Sequence, residues 1–543
     1  MLERDDLKIH DDLSTPRRSA FPAADLKSGF LVFLIALPLC LGIALASGFP
    51  PVTGILTAII GGTMAGLLGG ARLTIKGPAA GLIVIALGAV QELGQGDLAA
   101  GYRRALAVGV VAAGIQIIFA LCRVATAGVA MPPSIVHGML AAIGVIIIAK
   151  QAHVVLGVKP RAERPFDLLA EIPRSLVHAN PRILLLGALS LLILFGLPLI
   201  RARWARAVPA PLIVLAVTVP IDLWFHLDHP HDYRFLSTTY HLGPEYLVQL
   251  PDTLLDAVAF PDFSMILTMA SLKYVAMFAL VGTIESTLTV LAVDSIAPRK
   301  RPSDLNRDLL AVGGGNLLSS LVGGLPMISE IVRSRANIDA GATSRWSNFF
   351  HGAFLLLFVT LVPGLLQTIP LAVLAAMLVY TGTRLASPRE LLHVGKIGLD
   401  QLALFLTTLL VTLATDLLMG VGAGLVLKFV LHLLRGVPLP AFFRPRAQAT
   451  RTGPVLHIRI LGAAIFPALL PVRRAVNSAG AAGGDITQIV IDVENAAMVD
   501  HTFLAGMDAM AKQWPTATLT FLGLDRLRPV SPHPQATRRR RRA

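Results

Sequence analysis

The sequence carries fourteen apolar stretches, and two of them open on a Gly/Pro break instead of a charged cap. A helical crossing of a bilayer takes about 20 apolar residues, and no unpaired backbone is tolerated against lipid. A chain with this pattern is held to a bundle of membrane-spanning helices. The first seven stretches are 29–47, 52–69, 78–92, 105–121, 134–149, 183–200 and 209–225. The second seven are 265–293, 309–322, 326–337, 349–366, 370–381, 402–418 and 420–434. The interrupted segment is third in each set: Thr74-Ile75-Lys76-Gly77-Pro78-Ala79-Ala80-Gly81, then Gly323-Gly324-Leu325-Pro326-Met327-Ile328-Ser329-Glu330. An odd number per half turns the second half over relative to the first. The expected fold is an all-α membrane protein of fourteen spans, a 7+7 inverted repeat.

Composition agrees. Of 543 residues, 54% are hydrophobic and only 15% charged, where soluble domains carry about 25% charged residues. The formal net charge of +14 falls mostly in short loops and tails, so the positive-inside rule accounts for it and nucleic-acid binding is a poor reading. With the N-terminus in the cytosol, the inner loops hold Arg201, Arg203 and Arg206, then Arg299, Lys300 and Arg301, then Arg384, Arg389 and Lys396. The outer loop 226–262 has Arg234 as its one strong base. The loop 151–182 breaks the pattern, because Lys159, Arg161, Arg164 and Arg174 would lie outside.

Residues 1–26 are polar, mixed in charge and read as a cytosolic tail rather than a signal peptide. The membrane unit covers 27–437, a linker 438–452, a small cytosolic α/β unit 453–530, and a basic tail 531–543. In the α/β unit, 455–460, 486–493 and 517–524 read as strands and 500–513 as a helix. Arg538–Arg542 reads as a solvated run beside anionic lipid. Cys40 and Cys122 both fall in apolar spans and read as buried thiols. Neither a zinc motif nor a nucleophile elbow nor a dinucleotide fingerprint is present, so an enzyme has little support.

Chemistry concentrates at the two breaks. Paired broken helices in corresponding places point to the central site of a transporter. Their starts carry free N–H groups and about half a positive charge each, which suits an anion. The segments offer Lys76, Gly77, Pro78 and Ala79 on one side, and Met327, Ile328, Ser329, Glu330 and Arg333 on the other, as substrate-binding candidates. Arg333 would supply a fixed positive charge, with Glu330 three residues back on the same helical face to hold it or to bind a cation. Lys76 either faces the site or snorkels to the surface. Glu285 lies deep in an apolar span, where an ionised group costs at least about 2.5 kcal/mol. With Ser286 beside it and Thr289 four residues on, it suits a sodium ion or a proton. Glu285, Thr289 and Glu330 are the cation-coupling candidates. Asp294 reads as a helix-end contact, Gly313-Gly314-Gly315 as close helix packing, and His137 and His351 as structural.

These residues resemble the SulP family of anion transporters, relatives of pendrin and prestin. The match runs from about Phe21 to Leu434. It includes Ala46-Ser47-Gly48-Phe49-Pro50-Pro51, Lys76-Gly77-Pro78-Ala79, Gly282-Thr283-Ile284-Glu285-Ser286, Gly323-Gly324-Leu325-Pro326 and Arg333-Ser334-Arg335-Ala336-Asn337-Ile338. The resemblance implies core and gate domains, an anion between the third and tenth helices, and a homodimer. The C-terminal unit resembles a STAS module through Ile489-Val490-Ile491-Asp492-Val493 and Val499-Asp500-His501-Thr502-Phe503-Leu504. His501 stands where a phosphorylatable serine is usual. Members similar to bicarbonate symporters carry an acid and a hydroxyl spaced as Glu285 and Thr289 are, and a subgroup is associated with carbonic-anhydrase-like proteins.

The expected function is secondary transport of a small inorganic oxyanion, bicarbonate or sulfate. It would cross the cytoplasmic membrane with a sodium ion or a proton as co-ion and no other cofactor. A nucleobase permease of related fold and an uncoupled anion channel are the alternatives. Both termini would be cytosolic.

Overall fold

The computed structural model describes residues 23–202, 208–251, 253–297, 302–481, 486–513 and 517–540. The residues before Ala23, with Arg203, Arg206, Arg299, Lys300, Arg301, Arg541 and Arg542, lie outside this set.

Polar caps and prolines decide where the long helices begin. Asp97 accepts from the Ala99 and Ala100 amides. Thr268, Asp304 and Asp416 cap three further helices in the same way. Each replaces water at an orphan N–H group. In chain order the first half contains α1 (Ala23–Ala46), α2 (Pro51–Ile60, extended by a π turn to Leu68), strand β1 (Ile75–Pro78), and α3 (Ile83–Gly94) after one tight turn at Ala80–Leu82. It continues with α4 (Leu98–Leu121), α5 (Pro133–Val155), α6 (Pro165–Val177), α7 (Pro181–Gly196) and α8 (Ala210–Phe225). A hairpin, β2 (His231–Phe235) with β3 (Thr238–Leu242), joins the halves. The second half holds α9 (Met269–Ile296), α10 (Leu305–Leu321), β4 (Met327–Glu330), α11 (Ile331–Asp339), α12 (Trp346–Leu361), α13 (Leu371–Leu385), α14 (Pro388–Ile397), α15 (Leu399–Ala414) and α16 (Leu417–Leu434). Among the described residues, eight helices are long and apolar enough to cross a membrane, and four more are apolar but shorter.

Helix α1 starts earlier than its apolar stretch, inside the segment read as a tail. Asp25 is fully buried and accepts from the Thr343 and Ser344 amides and from the Ser344 hydroxyl. A charged residue that looked like tail is thus the anchor of the first helix. The loop 151–182 is also corrected. It holds α6, whose inner face is fixed by His153, fully buried, against Ser175 Oγ at 2.8 Å and the Leu168 carbonyl at 3.1 Å. Cys122 is exposed at the end of α4, not buried; Cys40 is buried.

The C-terminal unit is a four-stranded sheet ordered β5 (Arg446–Thr452), β6 (Val455–Leu461), β7 (Gln488–Asp492), β9 (Thr518–Leu522). β5 and β6 are antiparallel, and β6, β7 and β9 run parallel. Helices α17 (Leu469–Ala481) and α18 (His501–Gln513) supply Val472, Val476, Phe503 and Met507 to its core. The stretch read as linker therefore contains β5. Within the segment read as the basic tail, Arg538–Arg539 form β11 between β10 (Arg528–Pro529) and β8 (Met498–Val499). Backbone pairing fixes the main chain of these two arginines, and Arg539 keeps the solvent exposure that its charge suggested.

A buried ionic knot fastens this unit to α16. Lys428 Nζ lies 3.0 Å from Asp500 Oδ2, and His432 Nε2 is 3.1 Å from the same oxygen; all three are buried. Lys428 also donates to Thr502 Oγ1 at 2.5 Å. Burial alone would raise the Asp500 pKa, but Lys428 and His432 hold it below the ordinary carboxylate range. A carboxylate with a depressed folded pKa stabilises the fold above its unfolded pKa, and that contribution fades as pH falls through the folded value. The dock should therefore survive mild acid. Asp500→Asn strands the Lys428 charge in a dry site and should cost about 3–5 kcal/mol. A thermal unfolding scan of the purified protein checks this; an unchanged transition would show that the charges stay solvated.

Candidate functional site

Two short extended segments meet in the middle of the helical bundle. β1 and β4 pair antiparallel, with Ile75 opposite Glu330, Lys76 opposite Ser329, Gly77 opposite Ile328 and Pro78 opposite Met327. Extended backbone at membrane depth is stable only when protein satisfies it. Each strand does this for the other, and side chains close the edges. Asn316 Oδ1 accepts from the Met327 amide at 2.6 Å, Ser286 Oγ from the Ser329 amide at 3.2 Å, and Ser334 Oγ from the Ile75 amide at 2.8 Å. Pro78 has no N–H to satisfy.

A helical start follows each strand: the turn at Ala80 leading into α3, and α11 at Ile331. Neither has a side-chain cap. Ala80, Gly81, Ile331 and Val332 line a cavity of about 430 Å³. Its other walls are Glu285, Leu288, Thr289 and Ala292 from α9, His137 and Leu140 from α5, and Thr381 and Leu385 from α13. The cavity thus lies between the crossed-strand body and the α5–α13 pair. Gly81 faces the Glu285 carboxylate so closely that a Cβ there would overlap both of its oxygens.

The candidates divide into two groups. Ala79, Ile328, Glu330, Glu285 and Thr289 line the cavity. Lys76, Gly77, Pro78, Met327, Ser329 and Arg333 do not; they form the crossing behind it. Lys76 neither faces the cavity nor snorkels. It is fully buried, 2.9 Å from Asp308 Oδ1 and 2.8 Å from Thr74 Oγ1. Asp308 also accepts from the Ala71 amide and the Ser329 hydroxyl, each at 3.0 Å.

Arg333 is the second correction. Glu330 was expected to hold it through helical i,i+3 spacing, but Glu330 has extended dihedrals (φ −104, ψ 122) and ends β4. The three-residue rule applies only inside a helix. Glu330 lines the cavity, whereas Arg333 is buried against β1 and is not part of the lining. There Arg333 Nη2 donates to the Pro78 carbonyl at 3.2 Å, while Nε and Nη1 carry no hydrogen bond. A Cβ on Gly77 would come within 2.7 Å of Nη1, so Gly77 is the gap through which the guanidinium reaches β1. Ser286, expected beside Glu285, is spent on the β4 edge. Asp294 caps the segment after α9, accepting from the Ser303 amide and hydroxyl.

Sequence reasoning set His137 aside, yet it lines the cavity and sits 2.7 Å from Glu390. Thr381 was missed as well, because an isolated threonine in an apolar helix gives no signal. The resulting site has two carboxylates, Glu285 and Glu330, and the hydroxyls of Thr289 and Thr381. One Glu285 oxygen is buried without a partner. Two uncapped helix starts face the same space, and the Arg333 guanidinium lies against β1 outside its lining. Helix ends and Arg333 favour an anion electrostatically, and the carboxylates favour a cation beside it.

Comparison with known proteins gives this arrangement its context. The chain is similar to the bicarbonate transporter BicA of Picosynechococcus sp., at 26% identity over 413 residues, covering 76% of this chain and 70% of that one. The solved transmembrane domain of a cyanobacterial BicA superposes with a TM-score of 0.60 at 25% identity, over 74% of this chain and 97% of that one. The murine Slc26a9 anion transporter in its inward-facing state shares the fold, with a TM-score of 0.65 at 14% identity, over 94% of this chain and 90% of that one. The sequence profile of the sulfate permease family matches residues 23–408, which hold both strands, both half-helices and every residue that lines the cavity, and the chain belongs to that family.

Proposed function

We propose that the protein is a secondary transporter of a small inorganic oxyanion, bicarbonate or sulfate, with a sodium ion or a proton as co-ion. The observation that carries this reading is the cavity where two uncapped helix starts and two carboxylates face one another. The helix starts give about one positive charge between them, and Arg333 adds one. Ionised Glu285 and Glu330 subtract two. The empty site is then near neutral, an anion alone leaves it negative, and a cation on Glu285 and Thr289 restores the balance.

The crossed-strand body would act as the core and α5 with α13 as part of the gate, and relative movement would expose the cavity to either side in turn. In this reading the membrane unit has fourteen spans in two inverted sets of seven, the shorter helices and the half-helices included. Both termini lie in the cytosol, and the C-terminal unit is STAS-like and assists a homodimer. BicA's named substrate and the Glu285–Thr289 spacing lean the choice toward bicarbonate.

Flux into proteoliposomes tests this. Uptake of labelled bicarbonate or sulfate should rise with an inward sodium or proton gradient and should not be inhibited by uracil. Gradient-independent anion current would favour a channel, and uracil uptake a nucleobase permease.

A further inference from the structure

A second cavity, of about 260 Å³, lies between the membrane unit and the C-terminal unit. Its walls are Met131, Pro133 and α9 on one side, and α17 and α18 on the other. It shares Met131, Pro133, Leu288 and Ala292 with the cavity that holds Glu285. The two spaces therefore abut along one wall. On α9 that wall is formed by Glu285, Leu288, Ala292 and Ser295. Their spacing of three, four and three residues makes them a single helical face. The face is about 15 Å long at 1.5 Å per residue.

The opposite wall carries small side chains, Ala505, Gly506 and Ala509 of α18, with Thr502 and Met510. At the far end stand two bases. Lys512 is paired with Asp508 at 3.0 Å, and Arg473 lies in the field of Asp294. Lys512 is balanced by its ion pair with Asp508, and the half-buried Arg473 adds a positive charge to the wall. Thr502, which lines this wall, also accepts from Lys428 in the knot.

The geometry points to the C-terminal unit as one wall of the route by which solute reaches the site. On this view α18 is part of the access path, and the cleft between it and α9 is the vestibule for the transported anion. The inference rests on the transport reading above and deepens it.

Cysteines introduced one at a time into the full-length chain with Cys122→Ser, where the remaining Cys40 is buried, test it. Ala292→Cys lines both cavities, Ala509→Cys sits on the α18 wall, and Arg474→Cys, exposed on α17 and outside the lining, serves as control. Sulfonatoethyl methanethiosulfonate is added to membrane vesicles that present the C-terminal unit to the bulk, and labelling is verified by mass spectrometry. Uptake should fall at least ~10-fold on labelling Ala292→Cys or Ala509→Cys, since an adduct in a narrow path closes it. Saturating bicarbonate or sulfate should slow both reactions, and labelled Arg474→Cys should transport normally. Full labelling of Ala509→Cys with unchanged uptake, while Ala292→Cys is blocked, would place the route elsewhere and leave the transport reading intact. An unlabelled wild-type chain that moves neither anion would overturn both.

Discussion

Glu285→Gln should abolish the dependence of uptake on the cation gradient while leaving the protein folded. Glutamine keeps the side chain's size beside Gly81 but cannot carry the negative charge that attracts a sodium ion or the site that takes up a proton. In the wild type, a tenfold inward gradient of the coupling ion is worth about 1.4 kcal/mol and can drive about tenfold accumulation of the anion. In the variant, accumulation should fall to what the anion's own gradient supports. Thr289→Val should weaken sodium dependence far more than proton dependence, because a sodium ion needs the additional oxygen and a proton does not. Proteoliposome uptake across imposed sodium and pH gradients reads both effects. A Glu285→Gln variant with wild-type dependence on sodium and pH would remove this carboxylate from the coupling mechanism. Cation binding would then fall to Glu330, and Glu330→Gln becomes the variant that must respond.

Lys76→Met should be the most destabilising single change in the crossing. It leaves Asp308 without its counter-charge in a site where neither partner reaches solvent. Removing one member of a buried pair costs about 3–5 kcal/mol, because the remaining charge cannot be hydrated. Asp308 would still accept from Ala71 and Ser329, which offsets part of the loss but supplies no positive charge. Lys76→Met/Asp308→Asn removes both charges and keeps a carbonyl for those donors. It should recover most of the stability, and thermal unfolding of the detergent-solubilised protein measures the difference. A single variant as stable as the double would mean that the Lys76–Asp308 pairing adds nothing to stability. Anion uptake adds a second reading. The double variant should transport, because Lys76 lies behind the strands and not in the cavity, whereas a substrate-contacting lysine would leave it inactive.

Much of the membrane unit was legible because bilayer physics writes it into composition. Apolar runs mark crossings, and the two Gly/Pro breaks mark where helices stop and restart. Glu285 could be picked out because an acid in an apolar run is costly. What misled was charge without context. Asp25 looked like tail and is a buried anchor. Arg538 and Arg539 looked like tail and pair as strand. Glu330 and Arg333 looked like neighbours on a helix, but Glu330 ends a strand and lines the cavity while Arg333 is buried against Pro78.

The sequence alone determined that helices must span, where two of them must break, and which acid lies between the breaks, since each follows from local hydrophobicity and from the conformations open to glycine and proline. Only the tertiary structure decided which side of the crossing each side chain takes. That choice is made by partners hundreds of positions away: Asp308 draws Lys76 inward, Pro78 receives Arg333, and Asp500 binds Lys428. A buried charge goes where its counter-charge is, and no local pattern records where the folded chain brings that counter-charge.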